Sequence, residues 1–322
     1  MFEFIYILKA IAAVLITNSH YGHIWPYSGL ATGGLLGDVL FFAVSGFCLA
    51  RVSQNFIKWY SKRIFRVYPP LIIMTAVGLI IGLCKISGFL DAVKLFIFPT
   101  YFHFIASIML LYFPFYICAY LRKKLNIKWW VFMIAVLVLY AINYIFFFDM
   151  TYYHIDVVEE YTIRFLLFES MLLGAFFREK LENEEWKPKI KPIPSVIILV
   201  GLTAAYFGSK IAFSKIDAIS QLQFLNQIVL FALLFFILYV CCIWERTKKK
   251  SIEESKLGKA VKWLSALTLE IYVVQYSVYH LLPKMVFPLN FAVTTILIVL
   301  FAFILNFICK RATKCLNKLI KG

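Results

Sequence analysis

Charge is what this chain has least of. Only 16% of its 322 residues are Asp, Glu, Lys or Arg, against 62% hydrophobic, where a soluble domain is about a quarter charged and about half apolar. That balance excludes a soluble enzyme or binding module and leaves an integral membrane protein. Acids are the scarcer sign: 17 against 33 bases, for a net charge of +16. In a soluble chain such an excess points to nucleic acid. In a membrane protein it is the ordinary basic charge of cytoplasmic connections, so no nucleic-acid partner is expected. The seven cysteines are scattered, with no CxxC and no Cys/His spacing of a metal site. Most sit in apolar segments as small hydrophobes, so neither a disulfide framework nor a metal is expected. There is no internal repeat, no low-complexity tract and no polar stretch large enough for a soluble domain. Residues 1–322 therefore read as one transmembrane domain. The first segment has no basic stretch before it and no small-residue cleavage site after it, and reads as a retained helix rather than a signal peptide.

Ten apolar segments can be drawn, near 4–22, 34–50, 71–90, 100–121, 129–148, 163–178, 195–213, 224–244, 263–282 and 291–309. The connections alternate in charge. Those after the second, fourth, sixth and eighth segments, with the tail from Lys310 to Lys321, hold 26 of the 33 bases. One opposite connection holds Asp149, Asp156, Glu159 and Glu160. The positive-inside rule then predicts an all-α protein of about ten transmembrane helices with both termini cytoplasmic.

Polar residues inside such segments are costly and mark function or a buried partner. The first segment, FIYILKAIAAVLITNSHYG, carries Lys9 and His20. Eleven residues on a helix are three turns plus roughly 20°, which puts both on one face about 16 Å apart in height. Asp38 lies one turn into the second segment, at a depth that suits a partner for His20. A carboxylate accepting one imidazole N–H fixes the tautomer and leaves the other nitrogen as a base. The basic stretch RVSQNFIKWYSKRIFRVYPPLI carries Arg63 and Arg66, three apart and on one helical face. Two guanidinium forks there suit phosphate oxygens. Glu169 and Glu270 fall deep in segments six and nine and are expected to face the protein interior and bind substrate.

Taken together, Lys9-x10-His20, GDVLFFAVSGF and Lys62-Arg63-Ile-Phe-Arg66-Val-Tyr-Pro69-Pro70 resemble the opening of the acyltransferase family 3 membrane proteins. The likeness continues at IRFLLFESMLLGAFF (163–177) and LSALTLEIYVVQYSVYHLL (264–282). The resemblance implies an integral O-acyltransferase of the plasma membrane. It would move an acyl group, most often acetyl, from cytoplasmic acyl-CoA to hydroxyls of surface or lipid-linked polysaccharide. It implies acyl-CoA as donor substrate and no metal. It carries His20 onto the family's histidine, and Arg63 and Arg66 onto its paired arginines. Lys9 stands where the family has Arg, keeping the charge and losing the fork. Gln275 stands where the ninth segment often has His. On these residues acyl-CoA phosphates would meet Arg63 and Arg66, the pantetheine arm would pass Lys9, and His20 would act as base or acyl relay. Catalysis is thus assigned to His20, Asp38 and Lys9. A different class, a transporter or flippase for a glycan or lipid, would also use intramembrane Lys, Asp and Glu. Such proteins often show inverted repeats and paired broken helices, which are not visible here.

Overall fold

The computed structural model describes residues 2–97, 99, 102–157, 160–189, 191–282 and 286–319; Glu159 and Lys321 lie outside them. The described residues form helices and no strand. In order these are α1 (Phe4–Ser19), α2 (Gly34–Leu49), α3 (Phe56–Ile80), α4 (Phe89–Ala92), α5 (His103–Leu125) and α6 (Trp129–Phe147). Then follow α7 (Ile163–Glu182), α8 (Pro192–Lys215), α9 (Phe224–Thr247), α10 (Lys256–Ser265), α11 (Thr268–Leu281) and α12 (Leu289–Leu319).

Each of the ten apolar segments meets a helix, but among the described residues seven helical spans are long and apolar enough to cross a membrane: Ser28–Leu49, which ends in α2 and starts in a short 3-10 turn before it, and α3, α5, α6, α8, α9 and α12. Helices α1 and α11 fall short in length, at 16 and 14 residues. Helix α7 has the length and fails on charge, carrying Arg164 and Glu169 upstream of a charged last turn. Helices α11 and α7 carry Glu270 and Glu169, and His20 follows directly on α1.

One boundary moves substantially. The third segment is expected from residue 71, after a basic loop. The helix instead begins at Phe56, where the Asn55 side chain caps it by accepting the Lys58 amide at 2.9 Å. Arg63, Arg66, Pro69 and Pro70 are therefore all inside α3. Proline lacks the amide that would bond the carbonyl four residues back. The Phe65 carbonyl orphaned by Pro69 accepts the Thr313 hydroxyl of α12 at 3.0 Å instead, which lets the helix continue through the proline pair.

The chain divides into two compact units, residues 1–8, 38–52 and 114–252, and residues 9–37, 53–113 and 253–322. In the first, α7 is the central helix, with 13 of its 20 residues buried, and it packs on α6 and α9, while α9 packs on α8. Helix α2 meets α7 through two glycines. A Cβ on Gly46 would run into the Met171 carbonyl, and one on Gly174 into the Ala43 carbonyl. Small residues of this kind let membrane helices touch backbone to backbone. The start of α1 is fixed in the same unit: Glu245 accepts the amides of Glu3 and Phe4 at 3.0 and 3.2 Å. The Lys248 ammonium lies 2.6 Å from the Glu3 carboxylate. That ammonium and the Ser251 hydroxyl hold Glu3 down at about 2, below its ordinary 4.5. In the second unit α3, α11 and α12 pack against one another, with nine of the 14 residues of α11 buried.

Two outcomes follow from the first unit. Gly174→Ala should cost at least about 1–3 kcal/mol through overpacking, read as a lower thermal midpoint in detergent. Gly201→Ala on α8, where a Cβ meets nothing within 4 Å, should leave the midpoint level or raise it. Because the folded Glu3 carboxyl titrates below its unfolded value, its stabilisation is complete above pH 4.5 and is lost as pH falls toward 2. Hydrogen-exchange protection of the Ile252 amide, which donates to Glu3 at 3.2 Å, should fall across that window and stay constant between pH 5 and 8.

Candidate functional site

The second unit contains Lys9, His20, Arg63, Arg66 and Glu270; the first contains Asp38 and Glu169. Helix α1 ends at Ser19, and His20 begins the following turn with its amide on the Thr17 carbonyl at 3.1 Å. The imidazole is exposed and lies against α11. Its Nε2 is 3.4 Å from the Tyr276 hydroxyl, and its ring meets the Tyr276 ring edge-on at 5.0 Å between centroids. Tyr279 flanks it at 6.4 Å and donates to the Thr17 carbonyl at 3.3 Å. The Tyr276 hydroxyl lies in turn 3.5 Å from that of Tyr272 one helical turn back, so a line of phenol oxygens runs along α11 away from His20.

The turn that carries His20 is itself held. Asn18 donates to the carbonyls of Leu30 and Thr32 at 2.8 and 3.0 Å and accepts from the Trp25 indole at 2.9 Å. Tyr21 bonds Thr295 of α12 at 2.8 Å. A side chain on a loop braced this way keeps one position, which a proton-transfer group needs.

Arg63 and Arg66 share a helical face and differ in surroundings. Arg63 lies over the Trp59 ring at 4.2 Å and donates to the Trp59 carbonyl at 2.6 Å, both contacts within its own helix. Arg66 reaches across to α11, where its two terminal nitrogens contact the two oxygens of Glu270 at 2.7 and 3.4 Å. Asn306 of α12 completes the network by donating to the same Glu270 oxygen at 2.8 Å. Glu270 is fully buried and Arg66 retains 41% side-chain exposure. Glu270, expected to face the interior and bind substrate, is buried with its carboxylate as the counter-ion of Arg66. The Arg66 fork is likewise engaged, which leaves Arg63 as the less committed member of the pair.

Lys9 is half-buried on α1. Asp38 is 9% exposed on α2, and Glu169 lines a cavity between α6, α7 and α9 of the first unit. Gln275 is fully buried with neither its amide oxygen nor its nitrogen hydrogen-bonded. Residues that the sequence did not single out are Tyr276, Tyr279, Trp59 and Asn306. Two left a trace in spacing, since Tyr272/Tyr276 and Trp59/Arg63 are i, i+4 pairs that meet on one helix face. Asn306 left none.

The family model described as "Acyltransferase domain" matches residues 2–310, nearly the whole chain. The chain belongs to acyltransferase family 3. No curated protein and no solved structure matches it. With its run of apolar helices this acyltransferase-domain protein is of the multi-pass membrane type.

Removing either member of the Arg66–Glu270 pair should give unequal losses. Arg66→Ala leaves a fully buried carboxylate uncompensated and should cost about 3–5 kcal/mol, seen as a large drop in folded yield and thermal midpoint. Glu270→Gln keeps the shape and leaves a cation that solvent can reach, so its cost should be smaller. Equal losses would contradict the asymmetry in burial.

Proposed function

We propose that this chain is an O-acyltransferase that moves an acyl group, most simply acetyl from acetyl-CoA, to a hydroxyl of a cell-surface or lipid-linked polysaccharide at the plasma membrane. The observation that supports this reading is an exposed imidazole, held by a braced turn and engaged at one nitrogen by a tyrosine, in the compact unit that also holds Arg63 and Lys9. With Nε2–H donating to the Tyr276 oxygen, Nδ1 takes the proton of the acceptor hydroxyl as that oxygen attacks the thioester carbonyl. Histidine suits this because its ordinary pKa, near 6.5, lies close to working pH. The CoA thiolate leaves as the ester forms. Lys9 supplies positive charge toward the CoA sulfur or its phosphates. Arg63 meets phosphate, and Arg66, held by Glu270, adds its charge to the same helix face. The reading assigns no step to Asp38 or Glu169, which belong to the other unit.

The test is glycan acylation by purified protein given acyl-CoA, with mass spectrometry of the glycan reporting acceptor and acyl mass. His20→Ala should lower transfer by roughly 10²–10⁴ while acyl-CoA binding persists. Tyr276→Phe should lower it less, through a mispositioned ring. Arg63→Ala should raise the KM for acyl-CoA and spare kcat. Full acylation by His20→Ala would overturn the proposal, and glycan movement without acyl consumption would replace it with transport.

A further inference from the structure

In the second unit the short helix α10 turns large apolar residues outward together with its cations. It starts at Lys256, after Ser255, whose side chain accepts the Gly258 amide at 2.9 Å. Positions 256, 259, 260 and 263 share one face of a helix. Here they are Lys256, Lys259, Ala260 and Trp263, all exposed, with exposed Leu257 at the edge of that face. Leu257 and Trp263 are 76% and 45% exposed. The opposite face is the inward one: Gly258 and Ser265 are buried, and Lys262 pairs with Glu253 at 2.7 Å. Helix α12 sets the depth. Its residues 289–309 carry no charge, and Lys310 and Arg311 follow. The Asn306 amide reaches the Ala266 carbonyl just past α10 at 3.5 Å, and the Trp263 and Phe303 rings meet at 6.0 Å. So α10 lies where the apolar run of α12 gives way to charge. Along its exposed side α12 presents Ile296, Leu300, Phe303 and Phe307. That stripe ends where the Arg311 guanidinium lies over the Phe307 ring at 4.6 Å. Its rise is about 16 Å, close to one leaflet of a hydrocarbon core about 30 Å thick. Among the described residues Lys256, Lys259 and Arg311 have no acidic partner.

We propose that these two faces form a binding site for an anionic glycerophospholipid. Lys256, Lys259 and Arg311 hold its phosphate, and an acyl chain lies along the α12 stripe beside Trp263. Stacked on Phe307, the Arg311 guanidinium keeps its in-plane N–H groups for phosphate oxygens. The two lysines are compact charges on long apolar stems, so the ammonium groups stay among the headgroups while Leu257 and Trp263 sit below them. Cations, Trp and Leu on one exposed face are what an interfacial helix presents to anionic lipid, and basic recesses between membrane helices bind lipid headgroups. A zwitterionic headgroup would bring a further cation to three that already lack an acid. A soluble polyanion reaches the lysines and has nothing to place against Ile296, Leu300 and Phe303 at hydrocarbon depth. The site uses no atom of His20 or Arg63, so it goes beyond the transfer reading and stands without it.

The probe is phosphatidylglycerol bearing a diazirine in its acyl chain, photolysed with the full-length protein in phosphatidylcholine nanodiscs. Labelled peptides are located by mass spectrometry. Label should concentrate on α10 and on α12 between Leu300 and Phe307, and unlabelled phosphatidylglycerol should displace it. The fraction of competitor that halves the label should rise roughly fivefold for each cation removed, in Lys256→Gln, Lys259→Gln and Arg311→Gln. Removing two exposed cations from another basic connection, in Lys187→Gln with Lys189→Gln, should leave it level. Circular dichroism checks the fold of each variant. Equal labelling by a diazirine phosphatidylcholine, or label spread over all lipid-facing helices, would overturn the site. Displacement unaltered in the three single variants, or weakened as much in the Lys187 and Lys189 variant, would overturn recognition by these cations.

Discussion

Burying a carboxylate inside an apolar helical protein is the constraint around which each unit is arranged. Ionised side chains are costly there unless compensated. In the second unit the compensation is complete: Glu270 takes Arg66 from α3 and Asn306 from α12. One buried residue thus ties three helices in a single register. In the first unit Glu169 sits on the equally central α7 with one oxygen unpaired. The two glutamates have similar positions in sequence terms and opposite bonding.

The Arg66–Glu270 pair also shapes the candidate active site without touching it. It fixes α11 against α3, and α11 carries Tyr276 and Tyr279 beside His20. The Thr313 hydroxyl on the Phe65 carbonyl reinforces the same α3–α12 contact at the point where Pro69 removes a backbone bond. The helix that displays Arg63 is therefore straight enough to continue into the apolar core and secured at its weakest turn.

The chain belongs to acyltransferase family 3, and in the second unit His20 lies against the tyrosines of α11. A phenol rather than a carboxylate meets the His20 ring within its own unit. Tyrosine can accept from Nε2–H and so orient the imidazole without adding a negative charge beside it. The departure from arginine to Lys9 keeps a cation on the face below His20 and gives up bidentate recognition.

Composition and hydropathy were sufficient for an all-helical membrane protein and for the alternating basic connections, because both are local signals. Local signals also misplaced the start of α3, since a basic proline-bearing stretch reads as a loop until Thr313, far along the chain, supplies the missing bond. They could not tell Glu169 from Glu270: each is a glutamate inside an apolar segment. Only tertiary structure brought Arg66 and Asn306 to one and left an oxygen of the other without a partner. Partners separated by some 36 and 204 residues leave no periodic trace in a single sequence, and whether a buried charge is paired is decided by which helices pack beside it.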